Sequence, residues 1–566
     1  MFNLTGRSLI AWSVTISILS SAAWAKSAQS NSAIAKKALS PREIFRKTAS
    51  QWSGDIFVLP KYGNTMLDGG EFDPKSWLPS TIGGRLLPPH PLAMHGIAWD
   101  YDLQVPVVFY DPKGSWFKPG KYQDIAVQQD IVPTLAAVLD IPAPAKNSGR
   151  ILKEAMLSSK TKPKVILIFV QDQVGRHYFA AHPGKAPFYE SLMKRGADFV
   201  NGTVAHVDVE TSVGHASIGT GSWPSEHGVA GNNFFHSGFW RQLSSFTIQT
   251  GISSKSKQRN PSFFFAPTLS DVWSVARSNK PVVLSVAPVP RASIAMGGHG
   301  ALFNGGTRTY VTWIDEFARD GRWITEEENY ELPSAFKGKP VLPWLKQVVD
   351  SKNSWRGHQL IFDDQSIDGR LMLGSPGLVR QQGELTRAAI EELKIGHDDE
   401  TDLIWFNTKS TDYCGHMFGY ESEECGDVLA AADDEARRIM DLVEQKTNGN
   451  FLAVLTADHG AARLPEASGA YRIDRSKLKK ELNDFFDHRQ NNIDVVQVIT
   501  TSQIYINVNE LKANGHSIDD VVKYLKKYKA IMEWPYNVLA DEWIKKGKAR
   551  EALFFEDVVS KNEILK

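Results

Sequence analysis

Two cysteines in 566 residues leave room for one disulfide at most. Cys414 and Cys425 lie eleven positions apart, a spacing as compatible with a bridge as with two separate thiols, because separation along the chain does not set the geometry. Neither sign of charge is in excess, with 64 Lys+Arg against 64 Asp+Glu. That excludes attraction to nucleic acid or to an anionic membrane by the overall field, so a negative substrate must be held by local charge. Past the first twenty residues no apolar run reaches bilayer-spanning length, and there is no internal repeat. What is present is 42% hydrophobic and 10% aromatic residues, enough for a large core in one big α/β domain with insertions or in two domains.

Residues 1–25 read as a secretory signal: Arg7, an apolar run from Leu9 to Leu19, then the small-x-small cleavage pattern Ala23-Trp24-Ala25. The opposing reading is an uncleaved anchor, for which the run is short. The signal implies export to the periplasm or beyond, an oxidising compartment. Residues 26–40 are Ser/Ala/Lys-rich without apolar period and read as a flexible leader.

Further on, Ser53 to Leu59 and Pro106 to Tyr110 read as strands, and Ile131 to Leu139 has helical spacing. Residues 157–164 form a polar linker. Val165 to Val170 is then unbroken apolar, the signature of a parallel strand covered on both faces, and Leu403 to Phe406 and Phe451 to Leu455 repeat it. Helical stretches such as Val428 to Val443 alternate with these strands, which predicts a doubly wound, mostly parallel α/β sheet flanked by helices.

Polar residues gather directly after the three buried strands. Asp172 follows the first, Asp412 and His416 the second, Asp458 and His459 the third, and in open α/β sheets sites form at the carboxyl ends of strands. A lone Asp in such a place is usually a helix cap, and Asp412 with His416 is also compatible with a surface turn. Three aspartates together, two with histidine nearby, point to metal. Carboxylate and imidazole without thiolate suit zinc or another borderline divalent ion.

These residues carry a resemblance. Val165 to Asp172, Glu210-Thr211-Ser212-Val213-Gly214-His215, His227-Gly228-Val229-Ala230-Gly231-Asn232, Ser410 to Gly419 and Leu455 to Gly460 together resemble the alkaline phosphatase superfamily, in particular its nucleotide pyrophosphatase/phosphodiesterase and single-chain bacterial alkaline phosphatase branch. The resemblance implies two divalent ions, Zn2+ in that branch. Asp172, Asp458 and His459 would hold one, together with Thr211, and Asp412, His416 and a histidine from a His-Gly motif near the family's C-terminus the other.

That last histidine is out of order. His488 and His516 in the C-terminal part lack the right neighbours, whereas His95-Gly96, with Trp99 to Asp102, Val105-Pro106 and Gln128 to Leu135, resembles the family's closing segment. Residues 41–156 are therefore read as the C-terminal part of the catalytic domain moved to the front by circular permutation, joined by the linker 157–164 to the main part, 165–566. Permutation is tolerated where the original ends lie close together at the surface. The opposing reading is an unrelated first domain with a stray histidine.

The resemblance further implies hydrolysis of a small-molecule phosphate ester through a phosphothreonine at Thr211. Thr211 can equally cap a helix, and Ser212 is a rival nucleophile. Asn232 would donate to a phosphoryl oxygen, with Asn233 a near competitor, and His215 is read as structural. Where related phosphomonoesterases carry Lys-x-Arg, this chain has Val289-Pro290-Arg291. Arg291 keeps a bidentate phosphate donor, but the missing lysine leaves phosphomonoesterase and phosphodiesterase activity nearly level. A sulfatase lacks support, since Thr211-Ser212-Val213-Gly214 has no Cys/Ser-x-Pro-x-Arg context. A non-catalytic binding protein of the same fold would show damaged ligands. Residues 234–383 are expected to hold cap insertions over the site.

Overall fold

The long apolar runs form the middle of a nine-stranded sheet. In the computed structural model, which describes residues 39–67, 81–82, 85–86, 94–236, 241–249, 257–305, 307–315, 318, 320–362, 366–464, 468–489, 491–530 and 552–566, thirteen strands matter for the site. They are β1 (Ile56–Pro60), β2 (Val107–Tyr110), β3 (Gly120–Val127), β4 (Val165–Gln171), β5 (Ala197–Thr203), β6 (Val283–Val286), β7 (Thr309–Ile314), β8 (Trp323–Ile324), β9 (Asp402–Thr408), β10 (Phe451–Thr456), β11 (Val496–Ile499), β12 (Gln503–Ile506) and β13 (Phe555–Ser560). The signal peptide expected at 1–25 and nearly all of the leader lie outside the described residues. Residues Ser40–Lys566 form one compact unit.

The main sheet runs β8-β7-β6-β9-β4-β10-β2-β5-β3. The pairs β7-β6, β6-β9, β9-β4, β4-β10 and β5-β3 are parallel; β2 runs against both its neighbours, and β8 against β7. Such a mostly parallel sheet needs cover on both faces, which is why β4, β9 and β10 are buried at every residue. Alternate side chains feed two cores: Leu167, Phe169, Phe406 and Leu455 go to one face, Ile168, Val170, Trp405 and Val454 to the other.

Five helices frame the site: α1 (Thr211–Thr220), α2 (Pro290–Gly297), α3 (Pro376–Glu392), α4 (Ser410–Phe418) and α5 (Glu423–Thr447). The apolar residues of α3 and α5 cover the first face. The expected helix after residue 131 spans Ile131–Val138 and packs on the second. Three segments inside the range expected to be cap, β6, β7 and β8, are strands of the central sheet. Each is short, so their periodicity is weak in the sequence.

The N-terminal section is interleaved with later chain. β2 lies between β10 and β5, and β1 lies between β12 and β13 in a second sheet ordered β11-β12-β1-β13. The stretch 157–164 lies against the body, with Leu157 N–H donating to Trp116 O and Lys164 N–H to Asn450 O.

A buried carboxylate fastens this second sheet to the loop before α1. Asp208, at φ 43°, accepts from the hydroxyls of Thr500 and Thr501, the N–H of Ser502 and Nε2 of Gln503 at 2.7 to 2.9 Å. Its removal strands several buried donors at once. Asp208→Ala is expected to lower stability by roughly 3 kcal/mol, read from urea unfolding; a loss near zero would show that the donors find other partners.

Candidate active site

Strand register puts the polar residues at one level. Thr408 of β9 pairs with Gln171 of β4, and Thr456 of β10 with Val170, so the chain leaves all three strands together and Asp172, Lys409 and Asp458 follow within two residues. The segment after β9 becomes α4, and its helical turn stacks Asp412 under His416, four residues on. The turn that the spacing suggested is thus part of a helix. Thr211 is the first residue of α1. That helix comes so close to the third strand end that a Cβ at Gly214 would sit 2.7 Å from the carbonyl oxygen of Asp458.

His95 arrives from the other end of the chain. Its Nε2 lies 3.3 Å from Asp412 Oδ1, and His416 Nε2 lies 3.3 Å from the same oxygen. The His95 ring stacks on His459 with centroids 3.7 Å apart. His95 Nδ1 is 2.6 Å from the carbonyl of Val209 and His459 Nδ1 is 2.9 Å from that of Gly460. Each carbonyl takes the Nδ1 proton and leaves the Nε2 lone pair facing the cluster, the arrangement metal-binding imidazoles use.

The buried ligand atoms fall into two overlapping groups, Asp172 with Asp458 and His459, and His95 with Asp412 and His459. Asp458 Oδ2 and His459 Nε2 are buried without a hydrogen-bond partner. Buried polar atoms are nearly always satisfied, so this orphaned pair, a carboxylate oxygen and an imidazole nitrogen, fits a divalent ion. His488 and His516 instead face each other, ring centroids 5.9 Å apart, and belong to neither group.

The charge pattern is uneven. Burial, and then the neighbouring Asp172, push the Asp458 carboxyl well above its ordinary range. Burial also opposes ionisation of Asp412, but His416 and Lys409 outweigh it and hold that carboxyl well below. Burial and the adjacent His95 push His459 down, keeping it neutral.

His215 is buried with Nδ1 2.8 Å from Thr211 O and Nε2 2.8 Å from the Asn407 amide nitrogen, and burial lowers it to about 4. Both ring nitrogens are occupied, as a structural histidine requires. Asn232 Oδ1 accepts the Ser212 N–H at 3.0 Å, which leaves its Nδ2 as the donor. Asn233 opens a short strand, Asn233–His236, paired with Arg241–Ser244. Ser212 Oγ is buried with no partner. Arg291 lies on α2, and its Nε is buried without a hydrogen-bond partner, whereas Val289 is 6% exposed and packed in the apolar core.

One residue was not singled out from the sequence. Lys409 is 1% exposed, and its ammonium lies 2.6 Å from Thr211 Oγ1, 2.9 Å from Asp172 Oδ1 and 2.6 Å from Asp412 Oδ2. Burial works against its charge, yet Asp172 and Asp412 raise it above the ordinary lysine value. The available signal was its place three residues before Asp412, the spacing of side chains on one face of a helix. Cys414 and Cys425 are buried free thiols with sulfurs 2.7 Å apart.

Comparison with known proteins agrees with this geometry. The family model described as type I phosphodiesterase/nucleotide pyrophosphatase matches residues 166–557. The chain belongs to that family. It is a phosphoric-ester hydrolase of the alkaline phosphatase superfamily. Alkaline phosphatase PafA of Elizabethkingia meningoseptica is 27% identical over 399 residues, 64% of this chain and 72% of that one. Alkaline phosphatase PhoK of Sphingomonas sp is 30% identical over 355 residues, 57% of this chain and 61% of that one. The crystal structure of wild-type PafA has a TM-score of 0.54 at 22% identity, covering 71% of this chain and 85% of that one, and shares the fold. The family match starts at residue 166, so His95 lies outside it.

The two groups of carboxylate and imidazole donors lead to the expectation that the protein depends on divalent metal. An ion bound only by the native state stabilises it by mass action, about 4 kcal/mol at a thousandfold excess over Kd. Dialysis against a chelator should lower the unfolding temperature by several degrees, with Zn2+ restoring it. An unchanged melting curve would count against metal at the orphaned Asp458 and His459 atoms.

Proposed function

We propose that this chain is an exported phosphomonoesterase that works through a phosphothreonine at Thr211 and holds two divalent ions, zinc by its donor set. The observation that carries the reading is the convergence of Asp172, Asp458 and His459 with Asp412, His416 and His95, joined to the Thr211 hydroxyl through Lys409. Asp172, Asp458 and His459 would hold one ion beside Thr211; Asp412, His416 and His95 would hold the other. Bound there, the ions supply Lewis-acid stabilisation of negative oxygen at the attacking and leaving positions.

The chain's own residues do the rest. Thr211 Oγ1 attacks phosphorus as its hydroxyl proton is given up to water, the P–O bond to the leaving oxygen breaks, and that oxygen departs with the electron pair and takes a proton from water to become the alcohol. Water then attacks the phosphothreonine, the P–Oγ1 bond breaks, and Thr211 is regenerated with release of phosphate. Asn232 Nδ2 and Arg291 are the donors for the non-bridging oxygens. His215 and Asn407 hold the start of α1 and the Asp172 carboxylate in place.

Residues 41–156 are read as the closing part of the catalytic domain carried to the front. The position of His95, the placing of β2 between β10 and β5, and that of β1 between β12 and β13 support it. Phosphodiester hydrolysis is the second reading, favoured by the apolar Val289 in the place of a cation.

Wild type should hydrolyse p-nitrophenyl phosphate, and quenched turnover should leave phosphate on Thr211 by mass spectrometry. Thr211→Ala should cut kcat by at least about a thousandfold; label on Ser212 instead would overturn the assignment. His95→Ala should reduce bound metal from two ions per chain to one and remove most turnover. His488→Ala and His516→Ala should keep both ions, and a metal count unmoved by His95→Ala would sink the permuted reading.

A further inference from the structure

The family position that would carry a lysine beside Arg291 is filled by Val289, packed away in the core, yet the site does not lack an ammonium. Lys409 brings one from a different element. It ends the turn between β9 and α4, and the first turn of the helix aligns it with Asp412, a ligand three residues later. Its three acceptors are three different parts of the centre: Asp172 from one ligand group, Asp412 from the other, and the hydroxyl of Thr211.

We propose that Lys409 is a positioning and specificity-determining residue, which fixes the Thr211 hydroxyl and supplies the positive charge for the second negative charge of a phosphomonoester. The inference rests on the reading of Thr211 as nucleophile.

An ammonium has three protons, and here each has a partner. A lysine kept only to neutralise buried acids would need the two carboxylates alone. The third contact, 2.6 Å to Oγ1, places the charge next to the atom that bonds phosphorus. Once that bond forms, the phosphoryl oxygens stand two bonds beyond Oγ1, within the reach of the same ammonium.

Asp412 has oxygens to spare for this. Its Oδ1 faces the two imidazoles, and Oδ2 takes Lys409, so the lysine and the histidine side of the cluster do not compete for one atom. Arg291 completes the arrangement. It lies near enough for its charge to act on Lys409 and on His215, and its buried Nε has no hydrogen-bond partner among the described residues. One cation therefore touches Thr211, and a second, from another element, stands near the first. A monoester dianion gains more from the second of them than a diester monoanion does.

The experiment compares p-nitrophenyl phosphate with bis-p-nitrophenyl phosphate on wild type, Lys409→Met, Lys409→Gln, and Lys409→Met combined with Val289→Lys. Metal content and the binding of inorganic phosphate by titration calorimetry are measured on each. Removing the charge should lower kcat/KM for the monoester about a hundredfold more than for the diester and weaken phosphate binding, with metal content unchanged. Val289→Lys should recover part of the monoester preference in the Lys409→Met background. Lys409→Gln keeps a donor for Thr211 without the charge, so it should resemble Lys409→Met in substrate preference while losing less of the diester rate.

Equal losses on both esters, or loss of metal, would overturn the proposal and leave Lys409 a holder of ligands. If wild type turns over neither ester, the functional reading fails separately. Phosphate binding that is the same in wild type and Lys409→Met then rejects the role of Lys409, and weaker binding in the variant upholds it.

Discussion

Three carboxylates buried within one small volume are the constraint around which the site is built. Asp172, Asp412 and Asp458 sit at or next to the ends of adjacent parallel strands because those strands are in register and share the same direction. Such a cluster is unstable by itself, since water is excluded and like charges face one another. Two of its members respond in opposite directions. Asp412 ionises readily beside Lys409 and His416, while Asp458, which accepts backbone N–H groups and touches no cation side chain directly, is pushed towards its neutral form. The protein thus satisfies part of the cluster with its own ammonium and leaves the remaining part, Asp458 Oδ2 and His459 Nε2, without a hydrogen-bond partner among the described residues.

This division explains which features were legible in the residues. Strands covered on both faces must be apolar throughout, so β4, β9 and β10 stood out as unbroken runs, and the acids behind them followed. β6 and β8 are shorter, and with β7 they lie among polar segments, which is why all three were taken with the cap although they belong to the sheet. His95 was legible only through the likeness of its surroundings to a closing segment. No periodicity joins residues 95 and 412, and a contact over that separation is a property of the fold.

Lys409 escaped notice for a different reason. Lysine is usually a solvent residue, and its burial depends on two partners that are distant in sequence or one helical turn away. Its signal depends on knowing that α4 is a helix, whose phase turns Lys409 towards Asp412. With that ammonium unnoticed, the apolar Val289 looked like a lost cation. In the folded chain the ammonium enters from another strand end.

The same separation of roles runs through the N-terminal section. Residues before the family match provide β1, β2 and His95, and each is held by later chain: β1 by β12 and β13, β2 by β10 and β5, His95 by the Val209 carbonyl and Asp412. Asp208, next to Val209, is in turn tied to Thr500, Thr501, Ser502 and Gln503. A Cβ at Gly96, beside His95, would lie 2.3 Å from Thr501 Oγ1, and the backbone there has φ 116°. The loop before Thr211, the early histidine and the C-terminal sheet therefore share one close-packed junction. A covalent order that puts residue 95 first costs this junction nothing, because its geometry depends on packing and hydrogen bonds between segments, and those are blind to where the chain begins.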